Sequence, residues 1–336
     1  MTKSISQGIP FWDFGENESK LPHFYIKKSK SGNGCYYYLI EYYRQGDKNK
    51  FRHITSFGRD PPIFYQPTLV QNYCEEHLKT LTPGSVDLII DDPPYGITRL
   101  PWDEAPDWDV LAGLYHNVLN NNGLVYIFGK QPSLIDVYNS FRKYFDFRFE
   151  IIWNRNNVPW SSNFKPLPIH ENIFVFCKKG ARIDNTKFYT KQVMTPGKPY
   201  SRNRKKNHPA TQKAFNNEPY SMKNDGKRYP KSILEIPPII SNSEYPTQKP
   251  LDLIRWIILA SSKQNDLVLD PHVGSGTTLL GALGLCRKSI GIELYEKAYN
   301  IASKRILDAI ERVPKRYLFQ DSKINTISSL VAVEAI

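Results

Sequence analysis

Hydrophobic and polar positions along this 336-residue chain fall into stretches of different character. Residues 1–22 are polar and predict a flexible lead-in. Cys35–Tyr43 is dense in strand formers, Arg44–Asn49 supplies turn residues, and Phe51–Phe57 resumes the β-type pattern. Together they predict a small β-hairpin module over 23–60. Pro61 and Pro62 mark a boundary, and from about Tyr65 onward strand and helix patterns alternate. Val86–Ile90, Leu124–Phe128, Phe147–Trp153 and Asn172–Cys177 read as buried strands, with helices at Asp107–Leu119 and Ser133–Tyr144. The run Asn120–Gly123 is expected to close the first of these helices.

Periodicity then stops. Between about 180 and 245 the chain is rich in Lys, Arg, Asn, Pro and Tyr. Regular pattern returns with a helix at Leu251–Ser261, opened by Pro250 where a missing N–H does no harm. A buried strand at Leu267–Asp270, a helix at Thr277–Leu285 and a strand at Ser289–Glu293 follow. Ala298, Ile301, Ala302, Ile306, Ala309 and Ile310 line one face of a last helix. The expectation is an α/β fold, a sheet flanked by helices. An insertion at 181–245 splits it into halves at 65–180 and 246–313, with a tail at 314–336.

Charge sharpens this picture. Lys and Arg outnumber Asp and Glu by 45 to 33, and Ala181–Pro250 alone carries 14 basic against 5 acidic residues. A basic surface of this kind suits a polyanion, with a solvated loop as the plain alternative. Between His23 and Asp60, 8 basic residues against 3 acidic ones are interleaved with tyrosines. That suits nucleic acid, or equally a β-unit packing its tyrosines on the main domain. No apolar run approaches the ~20 residues of a membrane span. The N-terminal stretch also lacks the apolar core of a secretory signal. Cys35, Cys74, Cys177 and Cys286 are scattered, with no Cys-x-x-Cys pair. This argues against a disulfide framework or a structural zinc, and for a reducing, cytoplasmic setting.

Two strand ends carry chemistry. Asp91, Asp92, Pro93, Pro94, Tyr95 and Gly96 directly follow a buried strand, and open α/β sheets gather ligands at the carboxyl ends of strands. The prolines stiffen the backbone and remove two N–H donors. What remains is an acceptor-rich corner with the Asp92 carboxylate, backbone carbonyls and the ring of Tyr95. A flat ring bearing an amino group would find two acceptors and a stacking partner there. A proline-stiffened turn is the plain alternative.

The second strand end runs through Asp270, Pro271, His272, Gly274, Ser275, Gly276, Thr277 and Thr278. Its glycines permit close approach to the backbone, and the helix start offers free N–H groups. It is no phosphate-binding P-loop, because the lysine is missing and the spacing differs. Glu293 ends the next strand, about 20 residues on, where an acid suits the two hydroxyls of a ribose. The combination describes an adenosine-type cofactor site. A nicotinamide dinucleotide stays open, although the turn lacks the third glycine of that fingerprint.

The order of Asp92–Tyr95, the basic insertion, Tyr245–Pro250 and Asp270–Thr278 resembles the β-class of DNA amino-methyltransferases, which act on adenine N6 or cytosine N4. The likeness spans roughly Tyr65 to Ala309 and includes Leu78–Asp87, His170 with Glu171, and Lys231–Pro238. His272 stands where that family usually has Phe, Tyr245 where it has His, and Tyr73 where an acidic residue is common.

The resemblance implies a Rossmann-like methyltransferase sheet, S-adenosyl-L-methionine as methyl donor, and double-stranded DNA as partner, with the target base flipped out of the helix. It makes 65–180 the catalytic half, 181–245 the target-recognition region and 246–313 the cofactor half. Asp92, Pro93, Pro94 and Tyr95 become the catalytic residues, with Asp92 and the Pro93 carbonyl accepting the amino N–H groups and Tyr95 stacking on the base. Asp270, Pro271, Gly274, Ser275, Gly276, Thr277 and Thr278, with Thr247, Gln248, Lys249 and Glu293, become the cofactor contacts. Asp91 is ambiguous, and Trp153–His170 is expected to line or cover the base pocket. Arg202, Arg204, Lys205 and Lys206 are candidates for contacts to DNA phosphates and base edges. Aspartate at the first position of the tetrapeptide leans toward adenine N6 over cytosine N4. A catalytically silent DNA-binding protein on the same fold is the alternative from another class. The resemblance also brings a cognate restriction endonuclease and a homodimer into view, and no metal.

Overall fold

The computed structural model describes residues 9–10, 23–31, 34–45, 48–59, 62–96, 103–155, 163–164, 166–204, 220–239, 245, 247–313 and 318–319. The apolar runs build an eight-stranded sheet. Its strands are β1 (Thr68–Gln71), β2 (Val86–Asp91), β3 (Leu119–Gly129), β4 (Phe145–Asn154), β5 (His170–Lys178), β6 (Ile233–Glu235), β7 (Leu267–Asp270) and β8 (Lys288–Glu293). They lie in the order β6-β4-β5-β3-β2-β7-β8-β1. Only the two pairings made by β5 are antiparallel.

Helices cover both faces, as a largely parallel sheet requires. They are α1 (Cys74–Leu78), α2 (Trp108–Val118), α3 (Ser133–Phe141), α4 (Leu251–Ser261), α5 (Thr277–Gly284) and α6 (Glu296–Arg312). Alternation along β3 serves the two sides. Leu124, Tyr126 and Phe128 enter a core with α4, α5 and α6, whereas Val125 and Ile127 enter one with α1, α2 and α3. The predicted helix around residues 107–119 starts where Asp107 caps it, accepting from the Asp109 and Val110 N–H groups at 3.0 and 3.1 Å.

Three expectations need correction. Asn120–Gly123 does not close a helix but extends β3, with Leu119 opposite Val86. A Cβ on Gly123 would lie 2.8 Å from the Asp87 carbonyl oxygen, so glycine there lets the strands approach. The N-terminal module is more than a hairpin. His23–Ser31, Gly34–Gln45 and Lys48–Gly58 form an antiparallel sheet, with the short strand Ile9–Pro10 beside the first. Lys27, Lys28 and Lys30 disguise that first long strand in a propensity reading, and the backbone ladder decides it. Apart from Ile9–Pro10, the segment 1–22 lies outside the described residues.

The insertion is also partly regular. Thr195–Pro196 pairs with Lys227–Arg228, and Tyr200–Arg204 with Tyr220–Asn224. Ile233–Glu235 then rejoins the main sheet as β6, parallel to β4. A three-residue strand is too short to show a period.

Topology places the site. β2 and β7 are neighbours, with Val268 opposite Leu88 and Leu269 opposite Ile89. From β2 the chain proceeds to one side, into β3, and from β7 to the other, into β8. A crevice therefore opens at their carboxyl ends. Among the described residues no helix is long and apolar enough to cross a membrane, and Cys74, Cys177 and Cys286 are free and buried.

Candidate active site

A cavity of about 820 Å³ lies at that crevice. Asp92, Pro93, Pro94 and Tyr95 line it from the end of β2, and Asp270, Pro271, His272, Gly274, Ser275, Thr277, Thr278 and Glu293 from beyond β7. Thr247, Gln248 and Lys249 face it from the approach to α4. Gly276 shapes the turn from behind: its φ is 82°, and a Cβ there would sit 3.1 Å from the Ala302 Cβ. The two strand ends singled out in the sequence thus open on one space.

The corner at Asp92 is braced on every side. The Tyr95 hydroxyl donates to Asp92 Oδ1 at 2.7 Å, and the Lys249 ammonium donates to Asp92 Oδ2. Tyr95 therefore holds the carboxylate as well as offering a ring, and Lys249 sits on the Asp92 corner. The main-chain N–H groups of Tyr95 and Gly96 both bond to Asp103 Oδ1, at 2.8 and 2.9 Å, which pins the turn after the prolines. Burial pushes the Asp92 carboxyl up, against the pull of Lys249. Burial also pushes the Tyr95 phenol well up, so it remains a donor.

Behind this corner stands Glu171 on β5. Its Oε1 lies 3.3 Å from both Lys130 Nζ and Arg155 Nη1, and its Oε2 lies 3.5 Å from Lys249 Nζ. Burial alone would raise its pKa, but Lys249, Lys130 and Arg155 together outweigh that and hold it below the usual carboxylate range. For Lys249, burial opposes the charge, and Asp92 and Glu171 overcome it, so the ammonium persists. Phe128 and Trp153 supply apolar wall, with Lys249 Nζ 5.2 Å from the Phe128 ring centroid.

On the other lip, Glu293 accepts from the Gly274 N–H at 2.8 Å and the Tyr295 N–H at 2.9 Å. Those bonds fix the carboxylate at the cavity wall. Gly274 has φ 54°, and a Cβ there would lie 3.3 Å from Tyr245 Cε1. Burial lifts Asp270 to about 7, although its Oδ1 accepts from the His272 N–H at 3.1 Å. Two buried carboxylates around a glycine-lined wall suit a ligand with a cationic end and a ribose diol. The residues present therefore fit S-adenosylmethionine.

Asp91, ambiguous in the sequence, is fully buried. Its Oδ2 accepts from the Tyr115 hydroxyl at 2.9 Å, and its Oδ1 lies 2.7 Å from His272 Nδ1. His272 Nε2 is in turn 3.5 Å from Cys74 Sγ. Burial opposes charging His272, but the Asp91 charge outweighs it and holds the imidazole well above its ordinary value.

Of the DNA-contact candidates, Arg202 is exposed within the Tyr200–Arg204 strand and Arg204 ends it. Lys205 and Lys206 lie outside the described residues. In the Trp153–His170 stretch, Trp153 and Arg155 reach the cavity, Asn163 is exposed, and 156–162 lie outside the described residues. No local pattern in the sequence marks Asp103 or Lys130, and Arg155 is covered there only as part of the Trp153–His170 stretch. Glu171 is visible there only as part of a motif before a strand.

Residues 86–304 match the N6/N4 DNA methylase family, and that stretch holds both lips of the cavity. The chain belongs to that family. The methylase is 28% identical over 301 residues to the DNA adenine methyltransferase YhdJ of Escherichia coli K12, covering 82% of this chain and 95% of that one. It is 28% identical over 270 residues to the type II methyltransferase M.HinfI of Haemophilus influenzae, covering 71% and 68%. Its fold is like that of the cytosine-N4-specific PvuII DNA methyltransferase, with a TM-score of 0.50 at 14% identity over 75% of this chain and 94% of that one.

Proposed function

We propose that this DNA methylase transfers the methyl group of S-adenosylmethionine to the N6 amino group of an adenine flipped out of duplex DNA. One observation carries the reading: the Asp92–Tyr95 corner and the Asp270–Thr278 turn with Glu293 share a single cavity. When bound, the cofactor supplies an electrophilic methyl on a sulfonium. Asp270 would hold its cationic end, Glu293 its ribose hydroxyls, and the Gly274–Thr278 backbone would run along it. Thr247 and Gln248 complete that side.

A base amino group is a poor nucleophile, because its lone pair is delocalised into the ring. Asp92 and the Pro93 carbonyl accept its two N–H bonds and so favour rehybridisation that frees the pair for the methyl; one amino proton is then given up to solvent, and the methyl's former carrier departs as S-adenosylhomocysteine. Positioning and fixed electrostatics provide the rate, with no covalent enzyme intermediate. Tyr95, Phe128 and Trp153 give the base an aromatic enclosure that excludes water. The basic segment around Arg202 and Arg204 contacts the DNA backbone.

Adenine is favoured by aspartate at the first position of the tetrapeptide and by the adenine methyltransferase designation of the Escherichia coli relative. The type II designation of M.HinfI supports a cognate endonuclease as a partner. The test is to incubate the protein with duplex DNA and cofactor, digest, and weigh the nucleosides. N6-methyldeoxyadenosine is expected. N4-methyldeoxycytidine would move the target to cytosine, and neither product, with cofactor binding intact, would leave a silent DNA-binding protein.

A further inference from the structure

Five charged side chains meet behind the Asp92 corner: the carboxylates of Asp92 and Glu171, and the cations of Lys130, Arg155 and Lys249. Glu171 is already served by Lys130 and Arg155, both at 3.3 Å on Oε1. A third cation is not needed to neutralise it. Lys249 nevertheless reaches past it to Asp92 Oδ2, lines the cavity, and is buried. An ammonium carries three N–H donors. Glu171 Oε2 is a buried atom with no hydrogen-bond partner among the described residues, meeting Lys249 only as an ion pair at 3.5 Å.

A carboxylate beside an ammonium presents an acceptor next to a donor. The complementary ligand presents an N–H next to a ring nitrogen with a lone pair, which is the amidine edge shared by adenine and cytosine. We propose that Lys249 reads the target base, donating to the ring nitrogen that adjoins the amino group received by Asp92. Glu171, held by Lys130 and Arg155, steadies the ammonium when the amino group takes its place on Asp92. This deepens the methyl-transfer reading and rests on it. A keto base in the same pose sets its carbonyl oxygen against the Asp92 carboxylate and is rejected.

The test uses duplexes carrying the site that the wild-type protein methylates, with the target adenine or with 1-deazaadenine, which has a carbon in place of that ring nitrogen. Two quantities are measured: kcat/KM, and equilibrium DNA affinity in the presence of S-adenosylhomocysteine. Wild type should prefer adenine by roughly 10- to 100-fold in kcat/KM, the effect of one hydrogen bond to a charged group. In Lys249→Met the two substrates should converge to within about threefold, because the donor that discriminates them is gone. Equal use of both bases by wild type overturns the proposal without any variant, so a poorly folding Lys249→Met does not shield it. The same preference in wild type and variant overturns it too. Absence of methylation on any natural duplex is a different outcome, since it defeats the methyl-transfer reading itself. If the product is N4-methyldeoxycytidine, 3-deazacytosine replaces 1-deazaadenine.

Discussion

His272 Nδ1 lies 2.7 Å from Asp91 Oδ1, joining the strand that ends at Asp91 to the turn that follows Asp270. This pair clamps the two lips of the cavity, and its carboxylate is wholly buried. Replacing His272 with Phe leaves the Asp91 carboxylate, among the described residues, with only the Tyr115 hydroxyl. His272→Phe should lower unfolding free energy by about 3–5 kcal/mol, the range for stripping one partner from a buried pair. Asp91→Ala in that background should restore part of the loss. Urea unfolding of the single and double variants measures both, and an undisturbed single variant would count against the clamp. The raised imidazole pKa gives the sign with pH. The contribution is full below the ordinary value of about 6.5 and is lost only as pH climbs through the higher native value. The clamp therefore holds at neutral pH.

Asp92→Ala should leave the protein folded and cofactor-competent, while methyl transfer falls by about 10²–10³ or more. Single-turnover methylation alongside cofactor titration separates these effects. Turnover close to wild type would remove Asp92 from the reaction.

Asp270 titrates at about 7 because burial disfavours its ionised form. In the cofactor-free protein this raised value works against stability as pH rises from the unfolded carboxylate range through about 7, since the native state then holds the extra proton. A cationic ligand end reverses the preference, so S-adenosylhomocysteine affinity should weaken as pH falls below about 7. Asp270→Asn should bind more weakly and flatten that profile. Calorimetric titration across pH checks it, and an identical slope in the variant would place the proton elsewhere.

Arg202 is exposed on a small two-stranded ladder that also holds Arg204. Changing both to Gln should make the log–log salt dependence of DNA affinity shallower by about 0.9 for each phosphate that is no longer neutralised. Fluorescence anisotropy over a salt series gives the slope directly. A parallel line displaced to weaker affinity would mean that neither side chain meets a phosphate.

The α/β scaffold is legible because its strands are uniform apolar runs and its helices carry one apolar face. The Asp92–Tyr95 tetrapeptide and the Asp270–Thr278 turn stand out for a similar reason, since proline and glycine constrain the backbone locally. What the chain hides is long-range. Lys249 reads as a neighbour of the cofactor side, yet it crosses 157 positions to meet Asp92. Asp103 gives no local sign that it will grip the Tyr95 and Gly96 amides. Asp91 and His272 each look incidental alone and acquire a purpose only as partners across 181 positions. The first long strand of the N-terminal sheet is masked by lysines, and the three residues of β6 are too few to announce a strand.

That last strand has a practical meaning. By stitching the returning chain along the border of the sheet beside β4, β6 gives the segment before it a firm seam, while the small ladders between 195 and 228 belong to no part of that sheet. A cassette exchange between relatives that swaps 195–228 and spares the seam should carry site preference with it and leave methyl-donor use intact.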